Sequence, residues 1–298
     1  MVFFEKIVPL GGESVVTIGN FDGFHLGHQR IVFSLREIAR AHGLVSVILT
    51  FFPHPRVHLG HKIHLLSTDA QRREMLCRQD VDYIFFVPFA SLIDLRAGDF
   101  IHDVLIGACR MRRLVVGEDF RFGRDRLGDI AFLRARAEAS GFVLAALPTL
   151  VVDGERVASS RIRRRLEAGD IDCANRLLGR PYFIDGTVEK GEGRGRKLGF
   201  PTINLRTENE ILPTGVFQTV CRIGNDSWSA ITHIGYRPTF AGSDKRVETH
   251  IPGFRGEIYG NKVRLSFFHK VRDEIAFADE RLLSEQIARD IASLPFDK

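Results

Sequence analysis

Cysteine is scarce and scattered. The four, Cys77, Cys109, Cys173 and Cys221, form no Cys-x-x-Cys pair, which excludes a zinc knuckle and a disulfide framework and suits a reducing cytoplasm. No stretch approaches the ~18 consecutive apolar residues of a membrane-crossing helix, and no basic segment followed by an apolar run opens the chain. The expectation is a soluble, cytoplasmic, unexported protein with no membrane partner. Internal repeats and low-complexity tracts are also missing. Charge of one sign is not in large excess: 42 Lys and Arg against 37 Asp and Glu leave +5, a mild balance that suits anionic small molecules and nucleic acid alike.

A chain of 298 residues has room for two separate cores. From residue 15 to about 147, apolar runs at 45–52, 83–87, 114–117 and 142–147 read as strands. Apolar Ile31, Leu35, Ile38 and Ala39 at helical spacing, with Gly43 as a stop, and helical patterns near 70–78, 100–109 (with Asp99 as expected N-cap) and 130–140 alternate with them, which predicts βαβ units and a doubly wound parallel sheet. Ligands of such sheets bind beyond the carboxyl ends of the strands, where Gly19 and Gly117 both fall. Two more helical patterns, 161–168 and 173–178, precede a change of character at Gly179-Arg180-Pro181. Short β-like runs follow at 182–188, 215–222, 228–234, 247–251 and 262–269; their spacing suggests a barrel or sandwich, and a barrel is the expected form. A last amphipathic helix, 279–292, places Leu282, Leu283, Ile287 and Ile291 on one face. The expected domains are 1–180, an α/β doubly wound sheet, and 181–298, an antiparallel β-barrel with a C-terminal helix.

The first chemical signature is Gly19-Asn20-Phe21-Asp22-Gly23-Phe24-His25-Leu26-Gly27-His28, where an apolar run breaks and restarts at the mouth of a helix. A strand, a tight turn and a helix in that order aim backbone N–H groups at an anion. Gly19, Gly23 and Gly27 let the backbone approach a phosphate, and His25 and His28 can donate to its oxygens without acting as bases. The alternative is a βα turn with two solvated histidines.

Two further stretches carry phosphate chemistry. Ser159, Ser160 and Arg163 open a helix and would bind polyphosphate through hydroxyls, terminal N–H groups and a guanidinium. From charge alone, the run Arg161, Arg163, Arg164 and Arg165 reads better as a solvated or nucleic-acid-binding face, though no exposed aromatics interleave it. In the second half, the glycine-rich basic loop 191–199 carries Gly193 and Gly195 and leads into Pro201-Thr202-Ile203-Asn204. The hydroxyl of Thr202 and the amide oxygen of Asn204 are hard donors of the kind Mg²⁺ takes beside phosphate oxygens. His54, His58, His61 and His64 lie close together, but no Cys or Glu accompanies them and a loop around Pro53 and Pro55 accounts for them without a metal.

The signature at 19–28 resembles that of the nucleotidylyltransferase superfamily, in the form carried by the bifunctional riboflavin kinase/FMN adenylyltransferases, the bacterial FAD synthetases. Thr50-Phe51-Phe52-Pro53-His54-Pro55, Val116-Gly117-Glu118-Asp119-Phe120-Arg121-Phe122-Gly123 and Ser159-Ser160-Arg161-Ile162-Arg163 match the adenylyltransferase half in the same order. Gly199-Phe200-Pro201-Thr202-Ile203-Asn204, Leu212 to Phe217, Ile234 to Phe240, Val247-Glu248-Thr249-His250, Tyr259-Gly260 and Arg272-Asp273-Glu274 match the riboflavin kinase half. Departures are Ala158 and Ser160 in the serine motif, Ile203 for an alanine, His233 for a common asparagine, and Pro252-Gly253 for Leu-Asp.

The resemblance implies a Rossmann-like sheet followed by a barrel, and two reactions: riboflavin and ATP giving FMN, then FMN and ATP giving FAD and pyrophosphate. It implies nucleotide contacts at Gly19, Asn20, Phe21, Asp22, Ser159, Ser160, Asp119, Gly193 and Gly195, and charge stabilisation by His25, His28 and Arg163. It further implies Mg²⁺ on Thr202 and Asn204, a general base at Glu248, and Arg272 on the flavin side, with His54 bordering the substrates. Small molecules, not nucleic acid, are the expected partners. The alternatives are a monofunctional enzyme with one degenerate regulatory domain and a basic nucleic-acid-binding protein.

Overall fold

The chain divides into two compact units, Met1–Ser159 and Ser160–Lys298, in a computed structural model that describes residues 1–191, 193–236 and 245–293. The Arg237-Pro238-Thr239-Phe240 part of one family match lies outside those residues.

In the first unit six strands form one parallel sheet: β1 (Val2–Phe4), β2 (Ser14–Ile18), β3 (Val45–Phe52), β4 (Tyr83–Pro88), β5 (Met111–Gly117) and β6 (Val143–Leu147), in the order β1-β4-β3-β2-β5-β6. All five residues of β2 are buried, as expected for a strand covered on both faces. The order reverses where β2 meets β5, the place where a crevice opens in such sheets. Strand β1, not foreseen from the sequence, is three residues long and pairs with β4 at the edge.

Helices follow the apolar spacing. Helix α1 (Leu26–His42) buries Val32, Leu35 and Ala39, begins at the N-cap His25 and stops at Gly43, whose φ of 61° only glycine takes without strain. The 53–64 loop contains a helical turn, α2 (Pro55–His58), capped by the His54 ring, which is buried, not solvated. A capping box between Thr68 and Gln71 starts α3 (Asp69–Cys77), and Asp129 caps α5 (Ile130–Ser140). Asp99 is not an N-cap. The turn α4 (Ala97–Asp99) runs straight into a π-helical segment, Phe100–Ala108, so Asp99 has helical φ and ψ and its carboxylate caps nothing. A two-stranded hairpin, β7 (Val151–Val152) and β8 (Glu155–Arg156), closes the unit.

The second unit opens with α6 (Ser159–Glu167), which begins at the division, and α7 (Ile171–Leu178). The Asn175 amide ties α7 to the barrel: its nitrogen donates to Phe267 O at 2.8 Å and its oxygen accepts from Tyr182 N at 2.7 Å. The barrel is closed and wholly antiparallel, built from β9 (Tyr182–Glu189), β10 (Thr202–Thr207), β11 (Gly215–Ile223), β12 (Asp226–Tyr236), β13 (Lys245–His250) and β14 (Lys262–Arg272), in the order β10-β13-β12-β11-β14-β9. Closure, which the sequence left open against a sandwich, removes the unpaired edges. Phe217, Phe267, Leu265 and Cys221 fill the interior together with three buried threonines. The Thr219, Thr232 and Thr249 hydroxyls link across three strands at 2.7 and 2.9 Å, so each satisfies the next. Burial pushes the Cys221 thiol up to about 12, and Cys109 likewise, so neither is a reactive thiolate.

One helical turn, α8 (Arg194–Lys197), interrupts the glycine-rich loop. The last helix, α9 (Glu280–Ala292), is capped by Asp279. Its apolar residues are only half buried; its one fully buried side chain is Asp290, which takes the Arg272 guanidinium at 2.8–3.1 Å.

Candidate active sites

In the first unit the expected crevice is a cavity of about 270 Å³ between the carboxyl ends of β2 and β5 and the start of α1. Gly19, Phe21, His25, His28, Gly117, Asp119 and Ser159 line it, drawn from three separate motifs. Local geometry explains the signature. The turn holds Phe21, Gly23 and Phe24 at φ of 50°, 73° and 40°, a run of left-handed residues that stores strain and folds the chain back sharply. A Cβ on Gly23 would lie 2.6 Å from Leu66, and one on Gly27 would lie 3.2 Å from the His25 ring. The glycines thus make room for protein neighbours as well as for a ligand.

The two histidines stack, ring centroids 3.7 Å apart and 15° from parallel, and His28 meets Phe21 edge-on. His25 Nδ1 accepts from the His28 backbone N–H at 3.3 Å, so neutral His25 carries its proton on Nε2. His28 Nδ1 is buried without a partner among the described residues; a bare lone pair costs less there than a bare N–H, which places the His28 proton on Nε2 as well. Burial, and then the neighbouring His25, hold the His28 pKa well below the usual histidine value. The His28 ring is therefore a neutral donor, suited to hydrogen-bonding an oxyanion.

Three of the expected nucleotide residues, Asn20, Asp22 and Ser160, do not line the cavity. The Asp22 carboxylate is buried and accepts from Leu66 N, Ser67 N and Ser67 Oγ at 3.0–3.2 Å, tying the turn to the segment before α3. The Asn20 carbonyl accepts from Arg72, a residue that sequence reasoning did not single out. Arg72 is buried, donates also to Phe51 O at 2.7 Å and to Asp69, and lies over the Phe86 ring at 4.7 Å, so one guanidinium pins the ends of β2 and β3. No local pattern marks it, because its partners are up to 52 residues away. Ser159 Oγ donates to Asp22 O at 3.2 Å, which sets the first residue of α6 at the cavity. Ser160 is exposed, and Arg163, half-buried, is one turn further along the same helix.

In the second unit the site is a row. The strand register opposes Asn204 to Glu248, Glu248 to His233, His233 to Val216 and Val216 to Arg272, across β10, β13, β12, β11 and β14. Directly opposed residues share a face, and Thr249, Thr232 and Ile234 point inward, so the row is on the outer face. Thr202, two residues before Asn204, has the same outward parity. Here the structure adds what the sequence did not show: the Pro-Thr-x-Asn element opens a sixth strand, β10, so its two donors are held by a ladder and not by a loop.

The glycine-rich loop folds onto those donors. A Cβ on Gly191 would collide with the Asn204 amide, and one on Gly195 with Phe200 O, with Thr202 Oγ1 at 3.2 Å. Gly195 is thus placed beside the donors; Gly193, at φ 71°, has open space around it among the described residues; Gly191, not singled out from the sequence, packs closest to the pair. Thr202 and Asn204 fit Mg²⁺ in chemistry, with a hydroxyl and an amide on one face of a strand. The Arg272 guanidinium is engaged by Asp290 and by Asp273 O at 3.1 Å, so within this chain it anchors α9 to the end of β14.

Residues 9–161 match the family model for FAD synthetase, and residues 178–294 that for riboflavin kinase. The bifunctional riboflavin kinase/FMN adenylyltransferase of Pseudomonas fluorescens is 38% identical over 289 residues, spanning 94% of this chain and 91% of that protein. Its counterpart in Escherichia coli K12 is 34% identical over 93% of this chain and 90% of its own length. A Streptococcus pneumoniae crystal structure named as a macrolide-efflux protein superimposes with a TM-score of 0.88 at 27% identity, covering 98% of this chain and 97% of that one. That name is said of the other protein; among the described residues here no helix is long and apolar enough to cross a membrane. Two family models in tandem and near full-length identity above 30% place the chain in the family of bifunctional riboflavin kinase/FMN adenylyltransferases.

Proposed function

We propose that this chain makes FAD in two ATP-dependent steps, phosphorylating riboflavin to FMN within residues 181–298 and adenylylating FMN, with release of pyrophosphate, within residues 1–180. The observation that supports the proposal is a cavity lined by the 19–28 signature at the switch point of the parallel sheet, together with a row of Asn204, Glu248, His233 and Arg272 on the face of the barrel. Four free cysteines accord with a cytoplasmic setting.

The two sites differ in chemical need. The ribityl hydroxyl of riboflavin is neutral, so its attack on the γ-phosphorus requires a proton acceptor. Glu248 fills that role: as the new O–P bond forms and the bond to ADP breaks, its carboxylate takes the hydroxyl proton. Thr202 and Asn204 would hold Mg²⁺, which when bound offsets the charge of the ATP phosphates. Gly193 and Gly195 bring backbone close to those phosphates. Arg272 sets the flavin end of the row by fixing α9 against β14.

The phosphate of FMN is already an anionic nucleophile. The first unit therefore needs no base, but must align that phosphate with the α-phosphorus of ATP and stabilise the departing pyrophosphate. His25 and neutral His28 donate to phosphate oxygens and Ser159 lines the same cavity, while the family match gives Ser160 a hydroxyl and Arg163 the positive charge for the departing pyrophosphate. Gly19, Phe21 and Asp119 shape the cavity for nucleotide or flavin, while Asp22 and Asn20 act through the turn. Incubating the chain with riboflavin and MgATP and resolving the products over time tests the proposal: FMN should rise and then feed FAD. FMN without FAD, or FAD only from added FMN, would leave a one-reaction enzyme.

A further inference from the structure

His233 is the one residue of the barrel row with an ionisable side chain and no part in the reaction described above. It stands directly opposite Glu248, on the side away from Asn204. Opposed antiparallel residues have Cβ atoms ~4.5–5.5 Å apart, so the His233 and Glu248 side chains leave the outer face side by side. The far side of the ring is also held. His233 Nε2 is 3.4 Å from Glu274 Oε1. A Cβ on Gly235, the next outward position along β12, would be 2.8 Å from the His233 ring and would collide with Glu274, so the pair occupies space that any other residue there would fill. The ring is about two-fifths exposed, which makes a packing role a poor account of it.

We propose that His233 is a positioning residue for riboflavin phosphorylation: braced by Glu274, it holds the Glu248 carboxylate in the orientation that accepts the ribityl proton. The proposal rests on the kinase reading of the barrel. It also gives the sequence departure at His233 a meaning. With Nε2 on Glu274, the ring stands as a fixed polar wall beside the strand position of Glu248, a place where an asparagine amide would also be polar and compact.

The test uses the full chain with riboflavin and MgATP, following kcat and KM for FMN formation, with thermal unfolding of the barrel as the measure of an intact fold and conversion of added FMN to FAD as the control in the other unit. His233→Ala should lower kcat about tenfold with both KM values within about twofold, the signature of a lost alignment and not of lost binding. His233→Asn, which restores an N–H donor, should recover most of that rate. In a Glu248→Gln background, His233→Ala should cost nothing further, since the two side chains act as one unit. An unchanged kcat in His233→Ala, a failure of asparagine to outperform alanine, or equal losses in both backgrounds would overturn the proposal. Should the alanine variant lose FAD formation as well, the asparagine variant and its coupling to Glu248→Gln decide the matter alone. If Glu248→Gln itself phosphorylates riboflavin at the parent rate, the base assignment has failed; if it is impaired while His233→Ala is not, only the present proposal has.

Discussion

On the proposed function, the two units would bind phosphate by opposite constructions. The parallel sheet places its site at strand ends, where turns and helix starts project beyond the carboxyl edge, so Gly19, His25, Gly117 and Ser159 come together from loops. The barrel places its site on a face, because antiparallel neighbours deliver side chains in rows: Asn204, Glu248, His233 and Arg272 are 68 positions apart at the extremes yet share one line across five strands. An end-of-strand site depends on backbone conformation and glycine; a face site depends on register. Damage to one should be local and geometric, damage to the other chemical and single-residue.

The largest effect expected from that contrast is at Glu248. Glu248→Gln keeps the shape but cannot take the proton, so FMN formation should fall by about 10²–10⁴-fold while added FMN is still converted to FAD at the normal rate. Steady-state assays of each half-reaction check it, and a wild-type rate of riboflavin phosphorylation would remove the base from this row.

Next is Arg163→Ala, which should slow FAD formation by about 10²–10³-fold, the scale for losing one preorganised charge-stabilising donor, and leave FMN formation untouched. Arg163→Lys should not restore it, since lysine lacks the bidentate fork. Loss of both activities would mean that the two constructions are not independent.

Gly191→Ala sharpens the comparison, since it asks whether the face site also depends on a loop glycine. The added methyl must displace the Asn204 amide, and a misplacement of about 1 Å costs on the order of 10²-fold, so riboflavin phosphorylation should weaken by up to that factor while FAD formation holds. Rates within twofold of the parent would show that the loop does not set Asn204.

The smallest effect concerns pH and the first unit alone. His28 stays neutral in the fold well below the usual histidine pKa, whereas an unfolded chain takes up that proton near pH ~6.5. The neutral His28 therefore favours the fold above that pH, and this contribution is lost as pH falls below it towards the depressed value. His28→Gln should flatten the fall in Tm between about pH 6.5 and 5, measured by thermal unfolding followed through the first unit's transition. An unaltered slope would show that His28 is not the group responsible.

Much of the fold was legible because its signals are local. Apolar runs of strand length separated by helical periodicity specify a parallel α/β unit; Gly43, Asp129 and Asp279 mark helix ends by chemistry confined to one turn. Where a longer-range effect decides, the same reasoning misses. Asp99 looked like a cap, but packing extends the helix back to Ala97. Strand β1 has too few residues for any period and exists by pairing with β4. Thr202 to Thr207 follows Gly199 and Pro201, which read as a loop, and becomes a strand because β9 and β13 flank it on both sides.

The sequence by itself determined the order of elements, the two phosphate signatures and the residue types that serve them, since spacing and side-chain chemistry are written along one dimension. Only the tertiary structure decided which of those residues share a site. Asp22 turns away from the cavity to hold Ser67, Arg72 pins a turn 52 residues distant, and His233 acquires a place beside Glu248 through register alone. The physical reason is that a hydrogen bond or a cross-strand contact depends on distance in space, and a one-residue change of register would turn every member of the barrel row to the other face.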